Sequence, residues 1–368
     1  MTRRWRDPAD EEHWLPQPIW PAALKRPESP PPVLFLDLNH WIELARADAG
    51  KGAPAHVRLL ATLRRAVTAD AVTIVLTSGL YREIIKIKDP KQRQSLTNLI
   101  AELSGPRYLP GLTDIFLAEL STALDATTGT TGTRYQQFDL VGTSALHALG
   151  KVGGLRVIDG DGVDRTAEYL TNTPGFAARF ADANAEAERM LLAGPTDADV
   201  PRMRAEGYAP ERPEQAVRDN AAFEAGWSKQ IDPYRKSRNI RDLVIARHLA
   251  LELLDMLEHE RALRQFAVED VVTPVAARNL VMSMPSNATM VSMLAEYHHN
   301  PQKTWMENDI YDIHTLAAAV PYCDIVLTDA AARDALTRRH VHEWLNTEMP
   351  RRAENLSDSL DQLLHSAA

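Results

Sequence analysis

Cysteine is nearly missing from this chain: Cys323 stands alone among 368 residues. An internal disulfide is therefore excluded, and so is a zinc site built from several thiolates. A single thiol also suits a reducing compartment. Long apolar runs are missing too. No stretch of about 18 apolar residues occurs, so no membrane span is predicted. The N-terminal MTRRWRDPADEEHWLPQPIWP lacks the apolar segment of a secretory signal, and the reading expects a cytoplasmic protein. A basic excess is lacking as well. Forty-one Lys and Arg stand against 50 Asp and Glu, a net charge of −9. That weighs against tight non-specific binding to nucleic acid, which requires phosphate neutralisation, but leaves room for a local basic patch. No internal repeat is present. GTSALHALGKV has the wrong spacing for a phosphate-binding loop, and DGDGVDRTAEYL breaks the calcium-loop pattern at its third acid and its required Gly.

What the chain does contain is a set of acids in telling places. VLFLDLNHWIEL carries Asp37, VTIVLTSGLYREI carries Glu83, NDIYDIHTLAAAV carries Asp309 and Asp312, and CDIVLTD carries Asp324 and Asp329. Each stretch ends an apolar strand or opens a helix on an acid. In a parallel α/β sheet, ligands gather at the carboxyl ends of the strands, where such acids converge. Converging carboxylates repel, and their burial is costly unless offset. A hard divalent cation, Mg²⁺ or Mn²⁺, is the usual offset because it prefers oxygen ligands. That is the chemistry of metal-assisted phosphodiester cleavage.

Patterning sets these acids in a frame. Residues 1–32, rich in Pro, Trp and charge, read as an extended arm with Trp5, Trp14 and Trp20 docking on the body. Continuous apolar runs predict buried parallel strands over 33–37, 72–77 and 324–328. Helical spacing covers 40–48 and 55–69, Ser78 is a plausible cap for a helix through Ile87, and Pro90 opens a helix over 90–103. ATTGTTGTR at 126–134 reads as a loop. From about 164 to 299 the pattern is mainly amphipathic helix, clearest over 238–264 and 284–301, followed by a helix over 309–320 and a helical tail over 343–368. The expected fold class is α/β with a central parallel sheet. In domain terms, an arm (1–32) precedes an α/β domain in two parts, 33–115 and 300–368, interrupted by a mainly helical insertion at 116–299.

D-L-N-x-W-I-E-L after an apolar strand resembles the opening motif of the PIN-domain nucleases. T-S-G-L-Y-R-E-I is similar to their second motif, and D-I-H-T-L-A-A-A-V-P-Y-C-D-I-V-L-T-D to the third and fourth. With HNP before it at 299–301, the last stretch also resembles larger bacterial PIN-like proteins. The resemblance covers the first 100 and last 70 residues or so, leaving the middle unmatched. It implies a three-layer α/β/α PIN-like domain and a Mg²⁺- or Mn²⁺-dependent endoribonuclease leaving a 5′-phosphate and a 3′-hydroxyl. Asp37, Glu83, Asp312 and Asp329 match the family's catalytic acids, with Asp37, Asp312, Asp329 and, as second candidate, Asp309 on the metal. Asn39 and Thr328 match its supporting polar positions. RNA is then the expected partner, with a homodimer and an inhibitory protein as further possibilities and no membrane.

Each acid also has a plainer explanation. Asp37 and Asp329 are good helix caps, although Asn39 can cap in place of Asp37. Glu83 can pair with Lys86 three residues on. Glu43 is a rival ligand deeper in its helix. Asp309 and Asp312 share the first helical turn, where the helix dipole favours acids. Asp324 lies at the far end of its strand and should face solvent. KQIDPYRKSRNIRDLVIAR, 229–247, can grip a phosphate backbone through Arg235, Lys236, Arg238 and Arg241, or be a solvated helix end. His299 and His314 read as packed or capping side chains. Two other functions compete. A haloacid-dehalogenase-like phosphatase needs Asp-x-Asp, but Asn39 in the second position cannot serve as general acid. A PIN-like scaffold would bind RNA or protein without cleaving.

Overall fold

The computed structural model describes residues 15–25, 30–129, 135–152, 154–237, 240–267 and 269–367. The protein is mixed α/β and mostly helical. Two small parallel sheets are present: β1 (Leu24–Lys25) pairs with β4 (Phe138–Asp139), and β2 (Val33–Leu36), β3 (Thr73–Val75) and β5 (Ile325–Leu327) form a second sheet in the order β3-β2-β5. These three strand pairings are parallel, with Phe35 opposite both Val75 and Val326. The three apolar runs thus lie side by side as expected, each a little shorter than the run.

Strand alternation divides the apolar residues between two cores, since successive side chains point to opposite faces. Val33, Phe35, Val75 and Val326 enter one cluster; Leu34, Leu36, Ile74, Ile325 and Leu327 enter the other. The second is closed by α1 (Leu38–Asp48), α2 (Pro54–Thr68), α4 (Pro90–Ser104) and the C-terminal helix Ala353–Ala367. The first is closed by α5 (Leu112–Thr128) and the helices Ile240–Leu251, Pro285–His299 and Glu307–Ala319. Helix formation here follows local chemistry. Pro54 and Pro90 open their helices, and Asp89 accepts from Lys91 N at 2.9 Å.

Several expectations are corrected. The proposed boundary at 116 falls inside α5, and much of the 116–299 region packs into the same core as one face of the sheet. Residues 126–128 belong to α5, which Gly129 closes in the left-handed conformation (φ 65°), while 130–134 lie outside the described residues. The single helix expected over 238–264 is two, Ile240–Leu251 and Leu254–Arg264, broken where the fully buried Leu253 turns into the core. The tail is likewise split, into Val341–Leu345 and Ala353–Ala367. Trp20 packs edge-on against Tyr322 and donates to Leu24 O at 2.7 Å; Trp5 and Trp14 lie outside the described residues. Among the described residues, no helix is long and apolar enough to cross a membrane.

One buried acid ties the helical region to the sheet. Glu119 on α5 is fully buried and accepts from Ser286 N (2.8 Å), Asn287 Nδ2 (2.9 Å) and Tyr322 Oη (2.7 Å). Burial raises its pKa, and the donors oppose that rise. Glu119→Ala is expected to cost at least about 3 kcal/mol, because it strands three buried donors at once. Urea denaturation of the variant checks this.

Candidate metal centre

Asp37 follows β2 immediately and caps α1, its Oδ1 accepting from Leu38 N at 2.6 Å. Its backbone N–H still donates to Leu327 O at 3.0 Å, so it remains part of the sheet's carboxyl edge. Thr328, the residue after β5, donates its Oγ1 to Asp37 Oδ2 at 3.1 Å and holds the carboxylate across the two strand ends. Asp329 comes next and caps the helix Ala330–Thr337, with Ala332 N donating to its Oδ1 at 2.8 Å. Capping and convergence are therefore not alternatives: both acids cap, and both reach the same place. Asn39, the rival cap, is exposed on the first turn of α1.

The third acid comes from helix 307–319. Asp312 lies one turn inside it and has no hydrogen-bond partner among the described residues. One carboxylate oxygen each from Asp37, Asp312 and Asp329 lies within 4.8 Å of the others. Asp37 is 7% exposed, and the other two are partly buried. Burial, reinforced by Asp37, Asp329 and Glu83, pushes the Asp312 carboxyl up to about 8. Burial also raises Asp37, with Leu38 N and Thr328 opposing and Asp329 adding to the rise.

Glu83 flanks this cluster. Its pKa is pushed up to about 7 by burial and then by Asp37, against a smaller pull from Lys86. The pairing with Lys86 is not made; Lys86 instead stands 3.9 Å from Glu307 and over the Tyr311 ring. α3 (Ser78–Ile84) can bring Glu83 this close because residue 79 is glycine. A Cβ there would stand 2.1 Å from Thr315 Oγ1 on helix 307–319. Ser78 is the first residue of α3 rather than its cap. Thr77 holds the cap position without a side-chain bond to the helix.

The remaining sequence candidates are placed elsewhere. Asp309 accepts from Met306 N at 2.8 Å and pairs with Lys303 at 2.5 Å, so it closes its own helix start and stands outside the triad. Glu43 pairs with Arg46. Asp324 is exposed at the opposite end of β5, accepting from Val33 N at 2.6 Å. Arg235 is turned inward, correcting the expectation of a phosphate contact. It pairs with Asp232 at 2.8 Å and donates to Ser228 O, Ser228 Oγ and His298 O. Arg241 is partly buried, and burial lowers its pKa. The Lys236 side chain and Arg238 lie outside the described residues.

Sequence reasoning overlooked His40. It lies three residues after Asp37 on α1, a spacing that alone places it on the same helical side. Its Nε2 is 3.5 Å from Thr328 O, its Nδ1 is 3.5 Å from His56 Nε2, and the two rings stack at 5.8 Å. Burial lowers its pKa, holding the ring neutral beside the acids.

The donor set fits a hard divalent cation. It is all oxygen, it concentrates negative charge in a half-buried place, and Asp312 has no hydrogen-bond partner among the described residues. Comparison of the chain with protein-family models, with curated proteins and with solved structures found no match.

Proposed function

We propose that this chain is a metal-dependent endoribonuclease built on a three-layer PIN-like α/β/α domain. The observation that carries the reading is the convergence of Asp37, Asp312 and Asp329 at the carboxyl edge of parallel strands β2 and β5. Asp37 stands 275 residues before Asp312 and 292 before Asp329, yet the three meet there, and Asp312 makes no ion pair among the described residues. The two clusters on the sheet's faces support the layered architecture, and the order of the four acidic motifs supports the family.

In this reading the three aspartates hold Mg²⁺ or Mn²⁺. A cation so placed supplies an acidified water and a counter-charge for the phosphate. Thr328 fixes the Asp37 carboxylate in its working orientation. Glu83, poised near neutrality, accepts a proton or orients the attacking water. His40, whose Nε2 is 3.5 Å from Thr328 O, buttresses the strand end that carries Thr328.

The test is cleavage of end-labelled single-stranded RNA by the full chain. Millimolar Mn²⁺ or Mg²⁺ should support internal cuts, EDTA should stop them, and the new ends should carry a 5′-phosphate and a 3′-hydroxyl. RNA left intact at every metal concentration would sink the proposal.

A further inference from the structure

α3, which carries Glu83, has only seven residues, and no side chain caps its start. Helices this short are marginal by themselves, so packing decides where α3 sits. One side is set by Gly79, whose close approach to Thr315 joins α3 to helix 307–319. Glu83 lies four residues on, along that same side. Tyr81 lies two residues before Glu83, about 200° around the helix, and so faces the other way. What meets Tyr81 there is helix Phe176–Ala193. Between residues 155 and 216 only Glu188 and Leu192 of that helix are buried. Leu192 joins the apolar cluster that holds Tyr81, Ile84 and Tyr108. Glu188, 5% exposed, reaches into the same place. Its Oε1 accepts from Ala145 N at 2.6 Å and its Oε2 from Tyr81 Oη at 3.4 Å. Burial raises the pKa of Tyr81 and of Tyr108, and Glu188 adds to both rises, so both hydroxyls keep their protons. Beyond the helix, Arg93 donates to Ile87 O and to Pro195 O, each at 3.2 Å, tying the chain after α3 to the chain after helix 176–193.

A carboxyl group is a costly choice for one of two buried contacts, where a second leucine would pack without a polar group to satisfy. What it adds is direction, because its two oxygens fix Tyr81 Oη and Ala145 N at set positions. Resting on the nuclease reading, we propose that Glu188 is a positioning residue for Glu83. It holds α3 from behind, against helix 307–319, and so keeps Glu83 beside the aspartates. The outlying segment 155–216 thereby sets the activity of a centre to whose aspartate triad it contributes no residue.

Two substitutions, each made in the wild type and in Glu83→Gln, test this. Glu188→Met keeps the length of the side chain and loses both hydrogen bonds. Tyr81→Phe loses one of them and disturbs the packing least. In steady-state cleavage of RNA, Glu188→Met should lower kcat about tenfold and Tyr81→Phe about threefold, with KM unchanged. Glu188→Gln, which still accepts from Ala145 N, should keep most of the wild-type kcat. In Glu83→Gln both substitutions should cost less than about twofold more, because a residue that acts through Glu83 has nothing left to act on. Equal losses of kcat in the two backgrounds, the mark of a merely structural role, overturn the proposal, and so does an unchanged kcat in both variants. Titration calorimetry with Mn²⁺, without RNA, repeats the cycle independently of cleavage. Glu188→Met and Glu83→Gln should each weaken Mn²⁺ binding about threefold, and together no more than either alone. RNA cleavage with equal losses in both backgrounds defeats the role of Glu188 alone. A closed Mn²⁺ cycle in a protein that leaves RNA intact upholds that role and defeats the nuclease reading, and no Mn²⁺ binding by the wild type defeats both.

Discussion

Asp312→Asn is expected to lower metal-dependent cleavage of RNA by about 10²-fold or more, a loss of roughly 3 kcal/mol in transition-state stabilisation. The substitution is nearly isosteric. Asp312 makes no hydrogen bond among the described residues, so no partner is stranded. What disappears is one of the three carboxylates proposed to hold the metal. The metal-free protein should gain stability, because burial and like charge work against Asp312 in its ionised form. Asp37→Asn should lose comparable activity but gain less stability, since the Asp37 carboxylate also caps α1 and accepts from Thr328. Single-turnover cleavage and thermal melting of the two variants check the pair of effects. Unchanged cleavage by Asp312→Asn would remove the aspartate cluster from the chemistry.

The second large effect joins pH to metal. A carboxyl whose folded-state pKa exceeds its unfolded value holds its proton more tightly when folded. For Asp312 the folded value is about 8 and for Glu83 about 7, whereas unfolded carboxyls titrate near 4. Without metal, stability should therefore be highest below about pH 4 as far as these groups are concerned. It should fall as pH rises and level off above about pH 8. If the cluster holds a divalent metal as proposed, the metal should reverse the trend, because it would bind the ionised carboxylates and release their protons. Millimolar Mn²⁺ should raise the melting temperature by several degrees at pH 8 and by much less at pH 5. Asp312→Asn should flatten both responses. A wild-type melting temperature unmoved by Mn²⁺ at pH 8 would mean that these carboxylates do not form a metal site.

The sheet and three of its acids were legible because each lies at a boundary that chemistry marks. Apolar runs closed by an aspartate specify a buried strand, its end and a helix cap together, and Asp37 and Asp329 are both of this kind. Spacing to Asp329 favoured Asp312 but kept Asp309 as second candidate, since both fit the first turn. Lys303 decides between them, and its pairing with Asp309 depends on how the segment before the helix runs. Glu83 was legible as an acid, but its approach to the cluster depends on the Gly79–Thr315 contact between distant helices. The basic stretch misled for a related reason. Counting charges treats Arg235 as solvated, while the fold directs it to Ser228 and the end of helix 285–299. The boundary at 116 missed because an amphipathic stripe shows that a helix packs, without saying against what. In α5 the stripe faces the same core as Phe35 and Val326.

The strand order has a consequence for when the acidic centre exists. β2 is the middle strand, yet one of its neighbours, β5, begins at residue 325, 289 residues after β2 ends at residue 36. A growing polypeptide carries Asp37 and Glu83 early, with β2 paired on one side only. Asp312 and Asp329 arrive late, and only then does Leu327 O meet the amide of Asp37 and Thr328 its carboxylate. Such long-range pairing is slow to form, because the intervening loop must close first. A fragment ending before residue 325 lacks Asp329, so on the proposed reading a nascent chain would gain its reactive centre only after synthesis has passed β5. A chain that cuts RNA would thereby be kept from acting on the message that encodes it.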